Sequence, residues 1–379
     1  MNSSSSGLTT FEIIALFAVL LVNRALCLPP MLWGLTGVGK SDVVRQAVSV
    51  ISDDAKVWSP KPGRTPTGAL QVINDWGLVD LRTALMEPTD LRGLPDLKED
   101  VMRWVAPDEL PVVGQEDRFP QRGVLFLDEL SHAQPAMQAA CFSLVLDRRC
   151  GPHVLLPGWN IVAASNYGHE NGQTFAMPDP LRTRFQHYHL RCSLDAFKKW
   201  ALQNSIDPRI IAFLNWNPDY LHKHSEIADE AFPTPRTWAS ASQALSLFPG
   251  DAAGDAIAAS IGPGTAAVFA GFLALSHSAE LNVDIGKVLR GKASIPMLTT
   301  EKPDLAWAFA GRISAYVREK PDSLSVAIGF LCSDAWKGVR EIGRTGLADL
   351  KLLAQPKEFA VAFAPHAQSC LKAFGKLLE

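Results

Sequence analysis

Gly34-Leu35-Thr36-Gly37-Val38-Gly39-Lys40-Ser41 fills the pattern G-x-x-x-x-G-K-[ST] without a gap, and no other stretch constrains the fold as tightly. Such a loop works at one kind of place, between a buried strand and the start of a helix. There glycines let successive backbone N–H groups turn inward, and the helix offers the positive end of its dipole to an anion. The flanks meet that demand: Pro30–Trp33 reads as an apolar strand, and Ser41–Ile51 spaces its apolar residues as a helix does. The backbone of Gly34, Thr36, Gly37, Val38 and Gly39 is expected to cradle a triphosphate. The Lys40 ammonium would reach its β- and γ-phosphates, and the Ser41 hydroxyl would ligate magnesium. ATP and Mg2+ are therefore the expected ligands.

From Met31 to Arg191, short apolar runs alternate with helical stretches, the pattern of an α/β unit with a parallel sheet. The further strand candidates are Leu78–Leu81, Gly123–Leu127, Trp159–Ala164 and Gln186–Leu190, with a helix over Gln134–Asp147. Val124–Leu127 is apolar throughout, as a central strand covered on both faces should be. It delivers Asp128 and Glu129 to its C-terminal end, the edge at which open α/β sheets bind ligands. Asp128 is expected to hold the magnesium, and Glu129 to act as the general base on the attacking water. A strand ending in Asp-Glu means little alone; the upstream loop gives it meaning. Gly93–Pro111 reads as a helical insertion or loop.

Beyond Cys192 the strand candidates stop, and helical stretches are broken by Asn-Pro, Phe-Pro and Gly-Pro pairs. The expected fold is an α/β core with five parallel strands over residues 1–191, an α-helical lid over 192–250 and an all-α extension over 251–379. The formal net charge is −3 and the isoelectric point about 6.3, without the basic face that nucleic-acid binders carry. The six cysteines show no CxxC pair, which speaks against a disulfide framework or a metal site and for the reducing cytoplasm. His169, His222 and His224 lack acidic or cysteine partners at ligand spacing and read as solvated loop residues. The apolar run Ile13–Val22 is shorter than the roughly 18 residues a membrane span needs, so Thr10–Ala25 reads as a buried or partner-facing helix.

The loop, the Asp-Glu strand, the later strand ending Ala163-Ala164-Ser165-Asn166 and the segment Leu181-Arg182-Thr183-Arg184-Phe185 together resemble the AAA+ ATPases. Within them the chain is most similar to the MoxR-like group of the helix-2-insert clade. Val79-Asp80-Leu81-Arg82, Glu87–Pro95 and Phe232–Trp238 also match that group. The resemblance covers most of Pro30–Leu247. It implies that Asn166 is sensor 1, which helps place the lytic water. It implies that Arg184, with Arg182 as the alternative, is an arginine finger acting on a neighbouring subunit's nucleotide. Arg236, at a helix start after Pro235, is implied as sensor 2, while Trp238 reads as core. The implied assembly is a homo-oligomeric, hexameric ring that remodels a client protein, with a von Willebrand factor A-domain protein as the partner class. A nucleic-acid motor and a regulatory nucleotide-binding module with little turnover are the competing readings.

Overall fold

The computed structural model describes residues 7–22, 28–51, 71–73, 76–97, 102–167, 174–225, 230–248, 251–276, 281, 283–295 and 298–375. Cys27 and His169 lie outside the described residues. The chain divides into two compact units, Met1–Cys192 and Ser193–Glu379.

The first unit is built on strands β1 (Pro30–Gly34), β2 (Gln71–Ile73), β3 (Trp76–Arg82), β4 (Leu94–Asp96), β5 (Arg103–Val105), β6 (Arg122–Asp128), β7 (Arg149–Cys150), β8 (His153–Val154), β9 (Trp159–Ser165) and β10 (Gln186–Leu190). The main sheet runs β10-β1-β9-β6-β3-β2. Its first five strands are parallel, and β2 adds a short antiparallel edge to β3 that the sequence reading lacks. The helices are α1 (Thr10–Val22), α2 (Lys40–Ile51), α3 (Pro88–Arg92), α4 (Pro135–Asp147) and α5 (Asp179–Arg182). This is an α/β core with five parallel strands, as expected.

Alternation along the strands divides the core between the two faces of the sheet. Val124 and Phe126 join Leu32, Val162 and Ala164 against α1 and α2. Leu125 and Leu127 join Met31, Ile161 and Ala163 against α3, α4 and α5. Helix α1 belongs to this core, since Ile13, Ile14, Phe17 and Leu21 are buried, each contributing about 1.5–3 kcal/mol. The buried Asn160 amide of β9 donates to Leu21 O at 3.1 Å, satisfying a carbonyl at the end of α1. No helix among the described residues is long and apolar enough to cross a membrane.

Two expectations are corrected. Gly93–Pro111 is not helical where it is described: β4 and β5 pair antiparallel as a ribbon, with Leu94 and Val105 exposed. Side chains that face water leave no burial pattern to read. The cysteines are not all free, because Cys332 and Cys370 form a disulfide with Cα atoms 4.9 Å apart. They lie 38 residues apart and meet only through helix packing, so no local spacing announces the pair. Cys150 and Cys192 are small packed groups, and burial pushes both thiols up to about 12.

The second unit is helical among its described residues. Its helices are α6 (Leu194–Gln203), α7 (Pro208–Trp216), α8 (Pro235–Leu247), α9 (Asp251–Ile261), α10 (Pro263–Ser276), α11 (Ile285–Leu289), α12 (Pro303–Glu319), α13 (Leu324–Leu331), α14 (Arg340–Leu353), α15 (Pro356–Phe363) and α16 (Ala367–Phe374). Phe213 of α7 meets Trp238 of α8 and Phe269 of α10 at centroid distances of 5.1–5.5 Å, which makes Trp238 a core residue. The disulfide ties the residue after α13 to α16. Lys198 of α6 and Asp349 of α14 form an ion pair at 2.5 Å, both nearly inaccessible, and Asn215 of α7 donates to the same carboxylate at 2.9 Å.

Candidate nucleotide site

The parallel strands end at one edge of the sheet, and the motif residues gather there. Gly37 and Gly39 have φ of 74° and 96°, the left-handed region that favours glycine, so the loop can turn sharply into α2. Lys40, the first residue of α2, folds its ammonium back into the loop. It donates to the carbonyls of Gly34 and Leu35, each at 2.9 Å, and to Asn166 Oδ1. Asn166 follows β9, so the residue expected at the γ-phosphate is in direct contact with the lysine expected there.

Ser41 Oγ donates to Asp128 Oδ2 at 2.8 Å. The two expected magnesium ligands, 87 residues apart, thus share one hydrogen bond. A hydroxyl beside a carboxylate at a phosphate loop is the oxygen donor set that magnesium takes, with substrate phosphates completing it. Asp128 Oδ1 accepts from the Glu129 N–H at 3.0 Å, and the Asp128 carbonyl accepts from the buried Thr83 hydroxyl at 2.8 Å. Glu129 is exposed and sits at φ 58°, ψ 34°, at the start of a 3-10 turn over Leu130–His132. A non-glycine residue there carries strain of order 1–3 kcal/mol, which the fixed end of β6 and the turn must hold. Below the turn, Ser131 N donates to Ser165 Oγ at 3.0 Å, joining the ends of β6 and β9.

Asp80 of β3 enters the sequence analysis only as part of Val79–Arg82, with no role of its own. Its side chain is 14% exposed, and one oxygen pairs with Arg45 of α2 at 3.1 Å. The other oxygen is buried without a hydrogen-bond partner. Burial pushes the Asp80 carboxyl above its usual range, and the nearby Asp128 charge adds to this, while Arg45 opposes both. A charged residue inside an otherwise apolar strand, Val79-Asp80-Leu81, was the available signal.

The arginines at the end of α5 are held in different ways. Arg182 is exposed and pairs with Asp179 at 2.7 Å. Arg184 lies with its guanidinium carbon 4.7 Å over the Phe142 ring and donates to the Pro180 carbonyl. Neither side chain contacts the loop, Asp128 or Glu129 in any described hydrogen bond. Arg236 is exposed in the first turn of α8, behind the Thr234–Thr237 capping box, and belongs to the second unit.

No family model matches the sequence, and no curated protein matches it. Solved structures do show likeness. One is a lysine-to-arginine mutant of RuvB from Thermotoga maritima, 14% identical, with 83% of each chain covered and a TM-score of 0.35. Another is NtrX from Brucella abortus, also 14% identical, covering 92% of this chain and 69% of that one, with a TM-score of 0.32. A proline-to-glycine mutant of the Thermotoga RuvB is 13% identical over 88% of this chain and 86% of that one, with a TM-score of 0.31.

Proposed function

We propose that the chain is a magnesium-dependent ATPase of MoxR-like type, working as a ring to remodel a partner protein. The observation that carries the ATPase reading is the double pairing at the sheet edge, Lys40 with Asn166 and Ser41 with Asp128. Residues from β6, α2 and the loops after β1 and β9 meet only in the folded chain, which supports this reading.

In this reading magnesium, when bound, would offset negative charge on the phosphates. Ser41 and Asp128 would hold it. Lys40 exchanges its carbonyl and amide partners for phosphate oxygens, and Asn166, released from Lys40, orients water. Glu129 accepts a proton from that water as its oxygen bonds to the γ-phosphorus, and the bond from that phosphorus to the β–γ bridging oxygen breaks, so the electron pair leaves with ADP. Arg184 or Arg182 of a neighbouring subunit would complete the site. Sensor 2 at Arg236, a hexameric ring and a von Willebrand factor A-domain partner belong to this proposal through the family resemblance. Cytoplasmic location belongs to it because the reaction consumes ATP; the Cys332–Cys370 disulfide is the feature that stands against a reducing compartment.

Glu129→Gln tests the reading. It should bind ATP as the wild type does while kcat falls by about 10²–10⁴, the usual worth of a positioned general base. Equal turnover in the two proteins would refute the assignment. The same variant, held in its ATP state, is the bait for the client protein.

A further inference from the structure

Four rings stand in series beside the candidate site. Trp33 of β1 stacks on His187 of β10 at 6.0 Å between centroids and on Tyr167 at 6.4 Å. Tyr167 in turn stacks on His189 at 5.8 Å. Two of these rings are covalent neighbours of residues that hold Lys40: Trp33 precedes Gly34, and Tyr167 follows Asn166.

The hydrogen bonds of His187 fix its tautomer. Trp33 Nε1–H donates to His187 Nδ1 at 2.8 Å, and an indole nitrogen can only donate. Nδ1 is therefore the acceptor, and the proton of the neutral ring sits on Nε2. Nε2 lies 2.8 Å from the carbonyl oxygen of Arg182, which can only accept. One tautomer satisfies both bonds. That carbonyl closes α5 and also accepts from the Phe185 N–H at 3.4 Å, so His187 is its second partner, at the start of the segment that carries Arg184.

The geometry points to His187 as a positioning residue that ties the Arg182–Arg184 segment to the nucleotide site of its own subunit. This rests on the ring ATPase reading above. Nucleotide entry makes Lys40 and Asn166 part, which moves the residues next to Tyr167 and Trp33. Through Trp33 and His187 that change reaches the Arg182 carbonyl. Arg184 is held in one position, stacked on Phe142 and bonded to Pro180 O, and its release from there would be the second state that coupling requires. Occupancy of one site would then set how its arginine is presented to the next subunit.

The test is subunit mixing. The acceptor is Arg182→Ala/Arg184→Ala, which keeps its own catalytic groups and lacks both arginines. Donors carry Glu129→Gln, so they bind ATP, turn over little and offer their arginines. Glu129→Gln donors should restore turnover in mixed rings. Glu129→Gln/His187→Phe donors, which keep a ring for stacking and lose both hydrogen bonds, should restore roughly tenfold less, within the 5–150-fold range typical of coupling between sites. Both donors should bind ATP equally. Glu129→Gln/His187→Gln donors, whose amide can accept and donate, should restore at least half of what Glu129→Gln gives. Equal restoration by the Phe and parent donors overturns the inference and leaves the ring reading standing. Loss with Gln as severe as with Phe, or unequal ATP binding, also overturns it. Failure of the parent donor to restore anything refutes the trans arginine itself, and the inference falls with it.

Discussion

Lys40 and Lys198 each give an ammonium to polar groups brought from distant sequence, yet their surroundings differ. Lys40 is half-buried at the strand ends, and its partners include two carbonyls and an amide, all neutral. Lys198 is 5% exposed in a helical core, and its partner is the carboxylate of Asp349, 6% exposed. Neutral partners at a solvent-facing edge can be exchanged for a phosphate at small cost. A desolvated ion pair cannot be opened without stranding a charge in low dielectric. The first arrangement suits a site that changes partners each cycle; the second fixes α6, α7 and α14 to one another.

The largest expected effect follows from that difference. Lys198→Ala leaves Asp349 buried with only Asn215 as a described hydrogen-bond partner, and should destabilise the fold by about 3–5 kcal/mol in denaturant unfolding. Replacing the pair together, Lys198→Met with Asp349→Leu, should recover most of that loss, because the penalty lies in the stranded charge. A Lys198→Ala change below about 1 kcal/mol would mean that water reaches Asp349, and the contrast between the two lysines would disappear.

Lys40→Ala is the matching experiment at the other cluster. Without nucleotide it should shift stability by no more than about 1 kcal/mol, since its partners can turn to solvent. The effect should appear when ATP and magnesium are added. At a hundredfold excess over Kd, ligand stabilises the wild type by about 2.7 kcal/mol, and Lys40→Ala should gain almost none of it. A variant that melts early without nucleotide would show Lys40 to be a structural residue, as Lys198 is.

The sheet was legible because burial writes a pattern. Val124–Leu127 is covered on both faces and reads as a central strand, and Gln186–Leu190 was found at its observed limits. The strands β2, β4 and β5 were not legible, being three residues each, and the side chains of Leu94 and Val105 in β4 and β5 face water. The loop, Asp128 and Glu129 could be read because their chemistry is local in sequence. Their partnerships could not: Ser41 meets Asp128 across 87 residues, and Trp33 meets His187 across 154. Such contacts follow from strand order and register, which place Trp33 opposite His189 and Met31 opposite His187. The alternation Gln186-His187-Tyr188-His189-Leu190, with two histidines on one face, was the only trace of that cluster in the sequence.

Asp80 offers the smallest and most diagnostic effect, because it lies between the two cases. Like Asp349 it is a carboxylate raised by burial and held in one described ion pair, and like Asn166 it belongs to the unit that holds the loop. Its carboxyl is raised by burial first and by Asp128 second. A group whose folded pKa lies above its unfolded one favours folding when protonated, and this benefit is lost as pH rises through the folded pKa. At neutral pH the ionised Asp80 therefore carries a cost that the Arg45 pair only partly offsets. Asp80→Asn should be as stable as the wild type or up to about 1 kcal/mol more stable at neutral pH. That advantage should shrink as pH falls through the raised folded pKa toward the ordinary carboxylate value, because the wild type regains stability when Asp80 takes up its proton. Denaturant unfolding of both proteins along a pH series reads this directly. A wild type that loses stability relative to Asp80→Asn on acidification would show that Arg45 outweighs burial, making this pair a stabilising one.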